Sequence, residues 1–115
     1  MIETTIYLNN HTKTANKEGF QDDVGIVIRY YAKIDLSTID TIVFKVEKPS
    51  SEIVTWTAAK ASDNDYYAVY TIVADDLDEY GLYKVTLYLT DGTSIYTGQT
   101  DTFTIHERFR DFVAV

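Results

Sequence analysis

The chain has 115 residues, with 18 acidic side chains against 10 basic ones, a formal net charge of −8 and no cysteine. That length suits one ordinary domain and is short for two. Such a field repels phosphate backbones and anionic lipid, and without thiols there is neither a disulfide framework nor a thiolate metal site. A composition of 45% hydrophobic and 24% charged residues is globular rather than disordered. No apolar run approaches the ~20 residues of a membrane span. The opening "MIETTIYLNN" lacks the basic flank and apolar centre of a signal peptide. The expectation is a soluble acidic protein made in a reducing cytoplasm, with neither nucleic acid nor membrane as partner.

Alternation at period two dominates, and no segment holds a helical period beyond about a turn. "TTIYL" (Thr4–Leu8) reads as a first strand, and the polar stretch Asn9–Asp23 as a long loop with turn residues at Asn9-Asn10 and Gly19. "VGIVIRYYA" puts Val24, Ile26, Ile28 and Tyr30 on one face. "DTIVFKVEK" turns Ile42, Phe44 and Val46 inward and Lys45 and Glu47 outward, and Pro49-Ser50-Ser51 ends it. In "EIVTWTA", Val54, Trp56 and Ala58 share a face; "ASDNDY" is a turn, and "YYAVYTIV" the next strand. After the acidic connector "ADDLDEYG" comes a hairpin in which Tyr83, Val85, Leu87 and Leu89 point inward. Asp91-Gly92 predicts a type I′ turn there, and the return strand carries Ile95, a bulge at Gly98, then Phe103 and Ile105. About seven strands at this spacing predict an all-β, antiparallel β-sandwich over residues 1–106, with an extended C-terminal tail over 107–115.

Four groups of residues are candidates for function. His11 and His106 are the only side chains that titrate near neutrality without a large shift, and neither has a neighbouring nucleophile-and-orienter pattern; the expectation is that the protein is not an enzyme. Asp75, Asp76 and Asp78 could offer oxygens to calcium, but they lack EF-hand spacing, and a solvated acidic turn capping a short helical turn around Leu77 fits them better. No cofactor is expected. The ten tyrosines form the third group, with Tyr66, Tyr67 and Tyr70 on one strand and Tyr30 with Tyr31 on another. They suit either a protein interface, with Tyr66 and Tyr70 facing a partner, or a sugar platform using Tyr66, Tyr67, Tyr70 or Trp56, or an ordinary strand surface. Fourth is the tail "HERFRDFVAV", whose Phe109, Arg110, Phe112, Val113 and Val115 suit interface anchors. Its Arg108 and Arg110 would pair with acidic groups on an otherwise negative protein.

Glu79, Gly81 and Tyr83, at two-residue spacing, resemble the corner of immunoglobulin-like domains, where a tyrosine hydroxyl returns to the backbone at the start of strand F. Val85 stands where antibody domains place their second cysteine, and Trp56 falls a strand later than their tryptophan. "IDLSTIDTIVFKVEKPSSEIVTWTA", "DEYGLYKVTLYLTDGTSIYTG" and "TDTFTIHERF" together cover most of residues 34 to 109. In order and spacing they resemble small immunoglobulin-like modules of tailed-bacteriophage particles, such as the N-terminal domain of baseplate upper proteins. The resemblance implies a virion structural or accessory protein of a capsid, neck, tail or baseplate, made in the host cytoplasm. It would assemble in symmetric multiple copies or as a homo-oligomer with other phage structural proteins. In the baseplate proteins the module is followed by further domains, so a free-standing module fits a decoration or accessory role.

Overall fold

A computed structural model describes residues 5–9 and 18–107 of the chain. Among them are ten strands: β1 Thr5–Leu8, β2 Glu18–Phe20, β3 Val27–Tyr31, β4 Thr41–Glu47, β5 Ile53–Thr57, β6 Ala59–Lys60, β7 Tyr67–Thr71, β8 Gly81–Asp91, β9 Ser94–Thr97 and β10 Asp101–His106. One sheet has the order β1-β3-β7-β6, the other β2-β10-β8-β4-β5, with β9 also paired to β8. This is the strand order of an immunoglobulin-like sandwich, with β4, β8 and β10 in the places of strands C, F and G.

The alternating residues of both sheets meet in one core. Ile6, Leu8, Ile28, Tyr30 and Ala68 from the first sheet face Phe44, Val46, Trp56, Tyr83, Val85, Leu87, Phe103 and Ile105 from the second, all buried. Period-two burial along β4 and β8 follows from the pleat, which sends successive side chains to opposite faces.

Four local expectations change. Val24 does not join the core face: it is 62% exposed, because Gly25, at φ +92°, turns the chain before β3 begins. Gly19 is not a turn residue but the middle of β2, which runs parallel to β10. It has no side chain because the Cδ1 atoms of Ile26 and Ile105 lie 3.0 and 3.2 Å from where a Cβ would sit. The sheets are not wholly antiparallel, since β1 also runs parallel to β3. In the β8–β9 hairpin, Asp91 pairs with Ser94, so the two turn residues are Gly92 and Thr93. Of the two only Gly92 has positive φ (66°), the pattern of a II′ turn rather than I′.

The bulge lies at Gly98. Gly98, Gln99 and Thr100 separate Thr97 from Asp101, whereas only Thr86 and Leu87 separate their partners Val85 and Tyr88 on β8. The Gly98 amide still donates to the Leu87 carbonyl at 2.8 Å. A Cβ on Gly98 would stand 2.7 Å from the Tyr30 hydroxyl, which donates to the Gln99 carbonyl. The bulge thus lets a fully buried tyrosine reach backbone across the sandwich, and burial pushes its hydroxyl pKa well up.

Candidate assembly surfaces

The corner is built as a two-strap joint between the β4–β5 turn and the start of β8. The Tyr83 hydroxyl donates to the Glu79 carbonyl at 2.7 Å and accepts from the Glu79 amide at 3.2 Å. The Glu79 carboxylate accepts from the Ser50 amide and hydroxyl, both at 2.9 Å. Beside it, buried Lys48 places its Nζ 2.6 Å from Asp78 Oδ1 and 3.9 Å from Glu52 Oε1. Burial alone would lower the Lys48 pKa; the hydrogen bond and charge of Asp78, with Glu52 and Glu79, outweigh it and raise the pKa. Glu79 and Tyr83 therefore hold two turns together.

Burial pushes the Tyr83 hydroxyl up to about 12, with Asp78, Glu79 and Asp22 adding their charge against the lowering by the Glu79 backbone hydrogen bond. Tyr70 moves in the same direction through burial and its bond to Asp76. The sign follows from linkage. Unfolded phenols release their protons near 10.0 while native Tyr83 holds its proton to about 12, so stability is full below pH 10 and falls as pH rises between these values. The raised Lys48 acts in the same sense. Melting temperature should be level to about pH 9 and drop steeply above about pH 10, and Tyr83→Phe should make the drop shallower.

Tyr70 turns toward Trp56 and Asp76. Its ring stacks on Trp56 with centroids 4.9 Å apart and planes at 10°, and its hydroxyl donates to Asp76 Oδ2 at 2.6 Å. Trp56 itself is 4% exposed, so its indole offers no open ring to a sugar. The sequence placed both correctly on strands but could not show that Tyr70 ends the inward row of β7. Tyr66 is exposed, just before β7, where its amide caps onto Asn64 Oδ1 at 2.9 Å.

The acidic connector is spoken for by the fold. Asp76 Oδ2 also accepts from the Val73 amide at 2.9 Å, while Asp78 holds Lys48. The three aspartates thus do not converge, and among the described residues no group of three or more metal-ligating side chains forms. His106 lies 2.6 Å from Glu18 Oε1 with its ring 5.5 Å from Phe20. His11 and the tail residues Phe109, Arg110, Phe112, Val113 and Val115 lie outside the described residues.

Of two further surfaces, a tyrosine-rich sheet face with Tyr31 and Tyr67 was expected from the sequence, though without Tyr7 and Arg29, and the other was not foreseen. On the outer face of the first sheet, the Tyr67 ring meets Tyr31 at 5.4 Å and Tyr7 at 6.4 Å, with the Arg29 guanidinium 4.7 Å from its centroid. Arg29 also reaches Asp63 at 3.2 Å. The signal was there in the outward parity of Tyr7, Arg29 and Tyr31, but the parallel β1–β3 pairing that aligns them was not.

The second surface is the end of the sandwich at which β10 finishes. Phe20, Val24, Val73, Tyr80 and Leu82 are each roughly half exposed or more. Backbone bonds knit the segments that carry them: Gln21 N to His106 O at 2.8 Å, Asp22 N to Leu77 O at 2.9 Å and Gly25 N to Ile72 O at 2.9 Å. Phe20 pairs with His106, and Leu82 with Thr104, so these two residues lie beside the end of β10.

No family model matches the chain, and no curated protein does. Solved structures do. The N-terminal domain of phage TP901-1 ORF48 is similar with a TM-score of 0.59 at 14% identity, over 95% of this chain and 100% of that one. CopC from Methylosinus trichosporium OB3b is similar with a TM-score of 0.52 at 11% identity, over 90% of this chain and 95% of that one. At these identities the likeness is one of fold.

Proposed function

We propose that the chain is a structural or accessory component of a tailed-phage particle, on its capsid, neck, tail or baseplate, which acts by protein–protein assembly and not by catalysis. The observation that carries this reading is the likeness in fold to a phage protein's N-terminal domain across the whole of that domain. The sequence resemblance to phage modules over residues 34 to 109 agrees with it, as do the half-exposed Phe20 and Leu82 beside the end of β10. The partners are other phage structural proteins, met in multiple copies, and the site of action is the virion. A sugar-binding reading is less well supported, because Trp56 and Tyr70 stack on each other and Tyr67 is covered by Arg29 on one face.

Incorporation into particles tests the reading. Full-length chain should co-purify with particles, whereas chain lacking residues 107–115 should melt at the same temperature and be missing from them. Normal incorporation of the truncated chain would remove the tail from the mechanism.

A further inference from the structure

Resting on the reading of assembly in multiple copies, we propose that β9 is a pairing edge. It adds in antiparallel register to the β9 of a second copy, about a twofold axis at Tyr96, and joins the two larger sheets into one.

The open edge follows from the hairpin. Among the described residues, β9 pairs only with β8. The two-residue turn makes Asp91 and Ser94 a hydrogen-bonded pair, and bonded pairs recur at every second residue, at Leu89–Tyr96 and then Leu87–Gly98. The Gly98 amide on the Leu87 carbonyl at 2.8 Å fixes that parity. Ile95 and Thr97 therefore aim their amides and carbonyls away from β8, along the open edge. The strand holds neither proline nor charge, the usual guards of an edge. All four of its residues are exposed, even Ser94 and Tyr96, which share the parity of buried Leu89, so the edge stands clear of the opposite sheet.

A second copy is the occupant because this strand is complementary to itself. A twofold axis at Tyr96 sets Ile95 of each copy opposite Thr97 of the other, and each such pair exchanges both of its backbone hydrogen bonds. Tyr96 then meets its counterpart in a non-bonded pair, the closer kind, which suits two aromatic rings. On the outer face Val43, Tyr88 and Thr97 stand in one cross-strand row. The second copy's Ile95 continues that row, which covers a side chain 72% exposed in the single chain. Charge agrees: two copies of a chain with net charge −8 meet along a strand on which neither carries a charge. The bulge at Gly98 ends the pairing before β10 begins.

The test is charge complementation, read by sedimentation velocity over a concentration series. One full-length variant carries Ile95→Lys and Thr97→Lys, the other Ile95→Glu and Thr97→Glu. Both positions are exposed, so both variants should keep the parent melting temperature. The parent should dimerise, and each variant alone about tenfold or more weakly, because like charges then stand opposite each other across the axis. An equimolar mixture should recover a one-to-one complex, with lysine opposite glutamate at both pairs. Hydrogen exchange adds a residue-level check: the amides of Ile95 and Thr97 should gain protection as concentration rises, while that of Tyr96, already bonded to β8, should not change. A parent that stays monomeric, variants that associate as tightly as the parent, or a mixture that does not pair overturns the inference. If the parent dimerises in this way but is absent from particles, strand pairing stands and the virion reading falls. If it is present in particles but monomeric in solution, only strand pairing fails.

Discussion

Gly81→Ala should lower the stability of the domain by about 2–4 kcal/mol, or roughly 10–20 °C in melting temperature. Two independent terms add at this position. The backbone sits at φ +131°, a region closed to side-chain-bearing residues. A Cβ there would also stand 2.9 Å from both Cβ and Cγ of Pro49, a ring that cannot swing aside. The clash pushes apart the two turns that Glu79 and Ser50 tie together. Tyr83→Phe is the milder comparison, because it removes the hydroxyl bonded to Glu79 and leaves the packing against Phe103, for about 1 kcal/mol. Thermal melts followed by circular dichroism give both values. A Gly81→Ala variant that melts within a degree or two of the parent would contradict this description of the corner.

Trp56→Ala should lower stability by about 3–5 kcal/mol and leave any surface binding otherwise unaltered. The indole is wedged between Tyr70, stacked at 4.9 Å, and Phe103 at 6.5 Å, and its removal opens a cavity between the two sheets. As the only tryptophan, it reports on itself: its fluorescence should be that of a buried indole and shift on unfolding together with circular dichroism. A sugar-stacking tryptophan would behave in the opposite way, with little effect on melting and a saturable ligand lost on substitution.

Much of the sandwich can be read from the chain because its long strands alternate cleanly. Phe44 and Val46 on β4 and Tyr83, Val85, Leu87 and Leu89 on β8 are buried as their parity demands. The corner was legible because glycine and tyrosine at that spacing answer a backbone requirement. What escaped the sequence was set by non-local pairing. Three residues around a glycine carry no periodic signal, so β2 becomes a strand only when β10 lies beside it. Tyr70 looks like a surface tyrosine until Trp56 arrives from the other sheet and Asp76 takes its hydroxyl. Val24 has core chemistry and the core parity, but one glycine at positive φ moves it to the surface. The half-exposed residues beside the end of β10 were invisible for the same reason: Phe20 and Leu82, far apart in the chain, come to the same strand only through their pairing with β10.

On the proposed reading, this immunoglobulin-like domain is part of a phage particle. Quantitative mass spectrometry of density-purified particles tests it most directly. The prediction is peptides of this chain at a fixed ratio to the other structural proteins, unchanged through a second round of purification. Particles that are complete and infectious but devoid of the chain would contradict it.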